Sequence, residues 1–104
     1  MDHTLVVIKR LCQAGRVVFT AKAESEMFRD GLRREEVIEA ILNADTITKR
    51  LRSYNPMTGR REMLYVIDSR TWDGQPVYTK GKLAPQREGA RFYVLISSKH
   101  SVLP

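Results

Sequence analysis

Tyr78, Lys80 and Lys82 recur at every second position of Val77–Leu83, VYTKGKL, so an extended backbone puts one phenol and two ammonium groups on the same side. Val77, Thr79 and Leu83 take the opposite, apolar-leaning side. An ordinary solvent-facing strand mixes both charge signs, whereas this one selects for anions. The last apolar run, Arg91–Lys99, RFYVLISSK, has the same period and ends in Lys99 followed by His100. Two neighbouring strands could therefore bring their cations to one phosphate.

A second group of cations precedes these. Lys49, Arg50, Arg52, Arg60 and Arg61 fall in a stretch with no acidic residue. Within Asp45–Tyr54, Lys49 shares a strand face with Ile47 and Leu51, where the pattern calls for a hydrophobe; the plain alternative is a frayed strand end pointing to water. Lys49, Arg61, Tyr78, Lys80, Lys82, Lys99 and His100, with Arg52 and Arg60 beside them, form a set able to bind phosphate, stabilise a pentacovalent oxyanion and exchange protons. A lysine can accept a proton near neutrality only if neighbouring cations lower its pKa, which clustering of like charge does. For Tyr78 the alternative is an interfacial aromatic with a wet hydroxyl. His3 reads as a surface residue, leaving His100 as the candidate histidine.

Several chemistries lack their residues. The chain has no Gly-rich phosphate loop, no paired-cysteine motif and no carboxylate cluster in its basic half, so neither a catalytic metal nor a cofactor is expected. RNA supplies its own nucleophile in the 2′-hydroxyl, so a basic, metal-free site suits RNA better than DNA.

The elements that must hold these groups are legible in outline. Leu5, Ile8, Leu11 and Cys12 recur at helical spacing, with Gly15 as a stop. Arg16–Thr20 reads as a short strand or extended connector, with Thr20 able to cap a helix over Ala21–Asp30 that Gly31 ends. A third helix covers Arg34–Asn43, its glutamates near the start, where the helix dipole favours acids. From Asp45 the residues favour strand. A hairpin turns at Asn55–Gly59, Arg60–Ile67 returns, Asp68–Pro76 forms a loop with Asp73–Gly74 as its turn, and Val77–Leu83 follows. A basic loop, Ala84–Ala90, then leads into Arg91–Ser98. The expected fold is α+β: three N-terminal helices packed on one face of an antiparallel sheet of about four strands.

The 104 residues suffice for one domain over the whole chain, and 18 Lys and Arg against 12 Asp and Glu give a net charge of +6 that suits a polyanionic partner. The lone cysteine, Cys12, lies in an apolar helical stretch and is expected to be buried and inert in a reducing compartment. No apolar run approaches membrane-spanning length, and Asp2–His3–Thr4 do not open a signal peptide, so a cytoplasmic protein without a membrane partner is expected.

Taken together, IKRLCQAGRVVFT, the spacing of Lys49 from Tyr54, GQPVYTKGKL and the closing VLISSK resemble, over nearly the full length, the MqsR-like mRNA interferases. These are toxins paired with MqsA-type antitoxins. The resemblance implies a RelE-like fold and metal-independent RNA cleavage by 2′-hydroxyl attack, leaving a 2′,3′-cyclic phosphate and a 5′-hydroxyl. It places the family's active-site lysine on Lys49, its tyrosine on Tyr78 and its C-terminal lysine on Lys99. The family's sheet glutamine falls near Arg61, where this chain has none, so arginine replaces it or the register shifts by one or two. Many relatives of that family carry an aromatic followed by histidine at the end where this chain has Ser98–Lys99–His100, which leaves Lys99 and His100 as alternatives for proton transfer. The implied partner is an antitoxin with a zinc-binding half and a helix-turn-helix half. Competing readings are a non-catalytic RNA- or ribosome-binding module that grips phosphates through the same face, and a co-repressor acting only through its antitoxin.

Overall fold

The computed structural model describes residues 3–85 and 91–102. Three helices, α1 (His3–Gln13), α2 (Ala21–Asp30) and α3 (Arg34–Leu42), and five strands, β1 (Val17–Phe19), β2 (Lys49–Asn55), β3 (Arg60–Arg70), β4 (Pro76–Pro85) and β5 (Arg91–His100), follow in the order α1-β1-α2-α3-β2-β3-β4-β5. The α+β class is as expected. The sheet is mixed and five-stranded, in the order β1-β5-β4-β3-β2. Its last four strands form the expected antiparallel meander, and β1 pairs parallel with β5, Val17 opposite Tyr93.

The helix ends follow local chemistry. Gly15 and Gly31 hold φ of 73° and 69°, a region that costs glycine little. At each, the next amide reaches back five residues, Arg16 N–H to the Leu11 carbonyl and Leu32 N–H to the Met27 carbonyl, closing a Schellman motif. Thr20 Oγ1 caps α2 by accepting the Ala23 N–H and donates to the Ile96 carbonyl, tying the start of the helix to β5.

Leu5, Ile8 and Cys12 of α1 and Val37, Ala40 and Ile41 of α3 are buried against Ile67, Val77, Tyr93 and Leu95 of the sheet. Burial pushes the Cys12 thiol up to about 12, so it is a packing group rather than a nucleophile. Lys9 Nζ donates to the Ala44 carbonyl at 2.6 Å, pinning α1 to the end of α3.

Several strand boundaries differ from expectation: β2 begins at Lys49 rather than Asp45, β4 begins one residue early at Pro76, and β5 runs past Ser98 to His100. Asp68–Arg70, expected to open a loop, continue β3 and pair with Tyr78, Val77 and Pro76. Polar side chains hid this extension, although the backbone ladder needs none of their apolarity. Ala84 and Pro85 belong to β4, and residues 86–90 of the expected basic loop lie outside the described residues. Among the described residues no helix is long and apolar enough to cross a membrane.

Candidate functional site

The helices cover one face of the sheet, and the other carries the candidate site. Strand register fixes its layout, because residues directly opposite one another in an antiparallel pair share a face. Asp68 of β3 stands opposite Tyr78 of β4, and Tyr78 opposite Lys99 of β5, making one row of carboxylate, phenol and ammonium across three strands. The Lys99 Nζ lies over the Tyr78 ring, 5.3 Å from its centroid. In the next row on the same face Lys49 is opposite Val66, Val66 opposite Lys80, and Lys80 opposite Ser97.

Sequence reasoning therefore grouped Lys49, Lys80, Tyr78 and Lys99 on one face, and the structure brings them there. Their spacing matters. Lys49 lies two strands from Lys80, about 10 Å at ordinary strand separation, and one row away from Tyr78. It stands apart from the Tyr78–Lys99 pair as a further cation on the same face. Lys49, Lys80 and Lys99 form no ion pair among the described residues.

Other expected members stand elsewhere. Arg61 pairs with Tyr54 and Arg52 with Met63, positions whose alternation puts both on the opposite face from Lys49 and Tyr78. Arg60 is on the open face, at the far end of the β2–β3 hairpin. Lys82 is on that face too, but it is held by Glu62 at 2.9 Å, which also accepts from Asn55 Nδ2. A cation already so paired is a weaker phosphate ligand than Lys80. His100 stands opposite Val77 on the helix-side face, its Nε2 3.4 Å from Gln75 Oε1. Of the two alternatives for proton transfer, only Lys99 shares a face with Tyr78.

Two acidic residues join the site that sequence reasoning passed over. Glu26 of α2 accepts hydrogen bonds from Ser97 Oγ at 2.7 Å and from the Ser98 N–H at 3.1 Å. One turn on, Asp30 accepts the His100 N–H. Helical residues four apart advance about 6 Å, near the advance of two strand residues, so one helix face matches alternate amides of the β5 edge. Burial pushes the Glu26 carboxyl up, but the Ser97 and Ser98 hydrogen bonds and the Lys22 and Lys99 charges outweigh it and hold it below its ordinary value. Asp68 is the other addition. Its backbone N–H donates to Thr48 Oγ1, and its Oδ1 accepts from Ser101 Oγ at 2.8 Å. The only sequence signal for either residue was position: Asp68 one step past an apolar run, Glu26 four residues before the terminal acid of its helix.

Burial, together with the negative charges of Asp68 and Glu26, raises the Tyr78 pKa, so the phenol keeps its proton at neutral pH. Tyr78 can donate to an anionic oxygen and cannot serve as a resident phenolate base. Among the described residues no three His, Cys, Asp or Glu side chains group to hold a metal ion.

Comparisons with protein-family models, with curated proteins and with solved structures found no match.

Proposed function

We propose that this chain is a metal-independent endoribonuclease, the toxin of a toxin–antitoxin pair, of the MqsR-like, RelE-like kind that its sequence resembles. The observation that carries the reading is the open sheet face on which Tyr78 and Lys99 stand paired, with Lys80 and Lys49, which form no ion pair among the described residues, in the adjoining row.

Cleavage of RNA without a metal needs cationic stabilisation of the phosphorane, a proton donor for the leaving 5′-oxygen, and grip on the backbone to either side. Tyr78 and Lys99 supply the donors at the scissile phosphate. Lys80, one row away, and Lys49, two strands beyond, hold the chain by its phosphates. Arg60 extends the track along the hairpin. The expected partner is an MqsA-type antitoxin, and the free toxin acts in the cytoplasm on mRNA to arrest growth.

The test is incubation of the purified protein with RNA in excess EDTA, followed by end-group analysis. The reading predicts 2′,3′-cyclic phosphate and 5′-hydroxyl ends. Salt-sensitive RNA binding without any cut would instead favour a non-catalytic binding module.

A further inference from the structure

The lysines and the raised Tyr78 phenol are proton donors, yet the attacking 2′-hydroxyl must lose a proton. The acceptor should be an anionic or neutral base on the open face, on the far side of the scissile phosphorus from the donor, because nucleophile and leaving group are in line. Asp68 meets these conditions. Tyr78 separates it from Lys99 in a single row of the sheet, so a phosphate held at the Tyr78 hydroxyl has the strand bearing the carboxylate on one side and the strand bearing the ammonium on the other. The backbone of Asp68 is fixed by Thr48 and its Oδ1 by Ser101, and its second oxygen accepts no hydrogen bond among the described residues. A shallow groove lined by Asp45, Thr46, Asp68 and Arg70 opens beside it, giving a ribose room to approach.

We infer that Asp68 is the general base of the cleavage reaction, an assignment that rests on the ribonuclease reading above. Its carboxylate takes the 2′-hydroxyl proton as that oxygen bonds to phosphorus. The bond from phosphorus to the 5′-oxygen breaks, and the leaving oxygen receives a proton from the Lys99 ammonium or the Tyr78 phenol. Solvent then restores both groups. No oxidant, reductant or metal enters the balance. The charged and titratable groups facing Asp68 are Tyr78 from β4, Lys99 beyond it on β5, Lys80 of β4 and Lys49 of β2 in the adjoining row, Arg70 along β3 and Asp45 from the α3–β2 connection.

The experiment compares wild type, Asp68→Asn and Ser101→Ala on one RNA substrate in EDTA, with binding measured on the same oligonucleotide carrying a 2′-deoxy sugar at the cut site. The amide of Asp68→Asn still accepts the Ser101 hydrogen bond, and retained circular dichroism and thermal midpoint verify the fold. The expected result is a fall in kcat of about 10²- to 10⁴-fold for Asp68→Asn, with loss of the limb of the rate profile that rises with pH. Its affinity for the 2′-deoxy oligonucleotide should be equal or tighter, since a negative charge has gone. Ser101→Ala, which keeps the carboxylate but frees its Oδ1, should lower kcat less than Asp68→Asn does and retain the limb that rises with pH. Wild-type cleavage with Asp68→Asn equally fast and of unchanged pH profile would overturn the assignment and leave the ribonuclease reading standing. A wild type that never cuts RNA would overturn both.

Discussion

Lys99 and Tyr78 are directly opposed on neighbouring antiparallel strands, the ammonium nitrogen 5.3 Å from the ring centroid on the face that the helices leave open. A cation over an aromatic face is held by the ring quadrupole, which orders a flexible lysine without consuming its three donors. The phenol beside it is raised by burial and by the charges of Asp68 and Glu26. Spectrophotometric titration, read as the difference between wild type and Tyr78→Phe, should therefore place this phenol's ionisation above the ordinary value of 10.0. Asp68→Asn should move it back down. A phenol ionising at or below its ordinary value would remove Tyr78 as a proton donor at neutral pH.

The lysines of the open face differ in what already binds them, and the proposed function ranks them accordingly as RNA contacts. Lys49→Ala and Lys80→Ala should each weaken binding and reduce the slope of log affinity against log salt by about 0.7, the value for one phosphate contact on a single strand. Lys82→Ala should reduce it less, because the ammonium is held by Glu62. Arg61→Ala, on the other face, should leave the slope near that of wild type. Equal losses at all four positions would mean a diffuse basic surface with no oriented track.

Acid should loosen the contact between α2 and β5. Glu26 and Asp30 are both held below their ordinary carboxylate values, Asp30 chiefly by the His100 N–H and by Arg29. A depressed native pKa contributes stability that is complete above the unfolded value, near about 4, and is lost as pH falls through the native value. Denaturant midpoints should accordingly be flat from neutral pH down to about 5 and fall below about 4. Glu26→Gln should lower stability at pH 7 by up to about 1.5 kcal/mol, the low end of the range for a hydrogen bond to a charged group because the amide oxygen still accepts, and flatten the acid decline. An acid limb of unaltered steepness in that variant would show that other groups control it.

Gly81 is required for space. A Cβ there would fall 2.5 Å from the Tyr93 Cζ, inside the core and beside the irregularity in the β4–β5 register between Lys80 and Gly81. Tyr93 is fully buried and cannot swing away. Gly81→Ala should cost about 1–3 kcal/mol in urea unfolding, the usual penalty of overpacking, and the shift of β4 should disturb Lys80 and Lys82 on either side. A neutral substitution would mean that Tyr93 has room to yield.

How much of this was readable beforehand follows from which signals are local. The bounds of α2 were legible because Thr20 and Gly31 announce its ends chemically, and alternation in VYTKGKL put Tyr78 and Lys80 together because side-chain period needs no partner to define it. What failed depends on pairing. The parallel join of β1 to β5 links residues more than seventy positions apart, and nothing in VVF encodes it. The faces of Arg60 and Arg61 are reversed by a one-residue change of register, so charge alone could not distinguish them. Asp68 entered the site only because β3 runs three residues beyond its apolar run, and Glu26 because an i, i+4 pair on α2 matches the amide spacing of β5.

The central claim is that the Tyr78–Lys99 pair is where RNA is cut, and the double variant Tyr78→Phe, Lys99→Ala tests it most directly. Both side chains are partly exposed, and neither belongs to the core, so the fold should survive, as circular dichroism and an unchanged thermal midpoint would verify. With wild type releasing cyclic-phosphate ends in EDTA, the account predicts that the folded double variant releases none while still binding RNA through Lys49 and Lys80. A folded double variant that cuts RNA at the wild-type rate would contradict it.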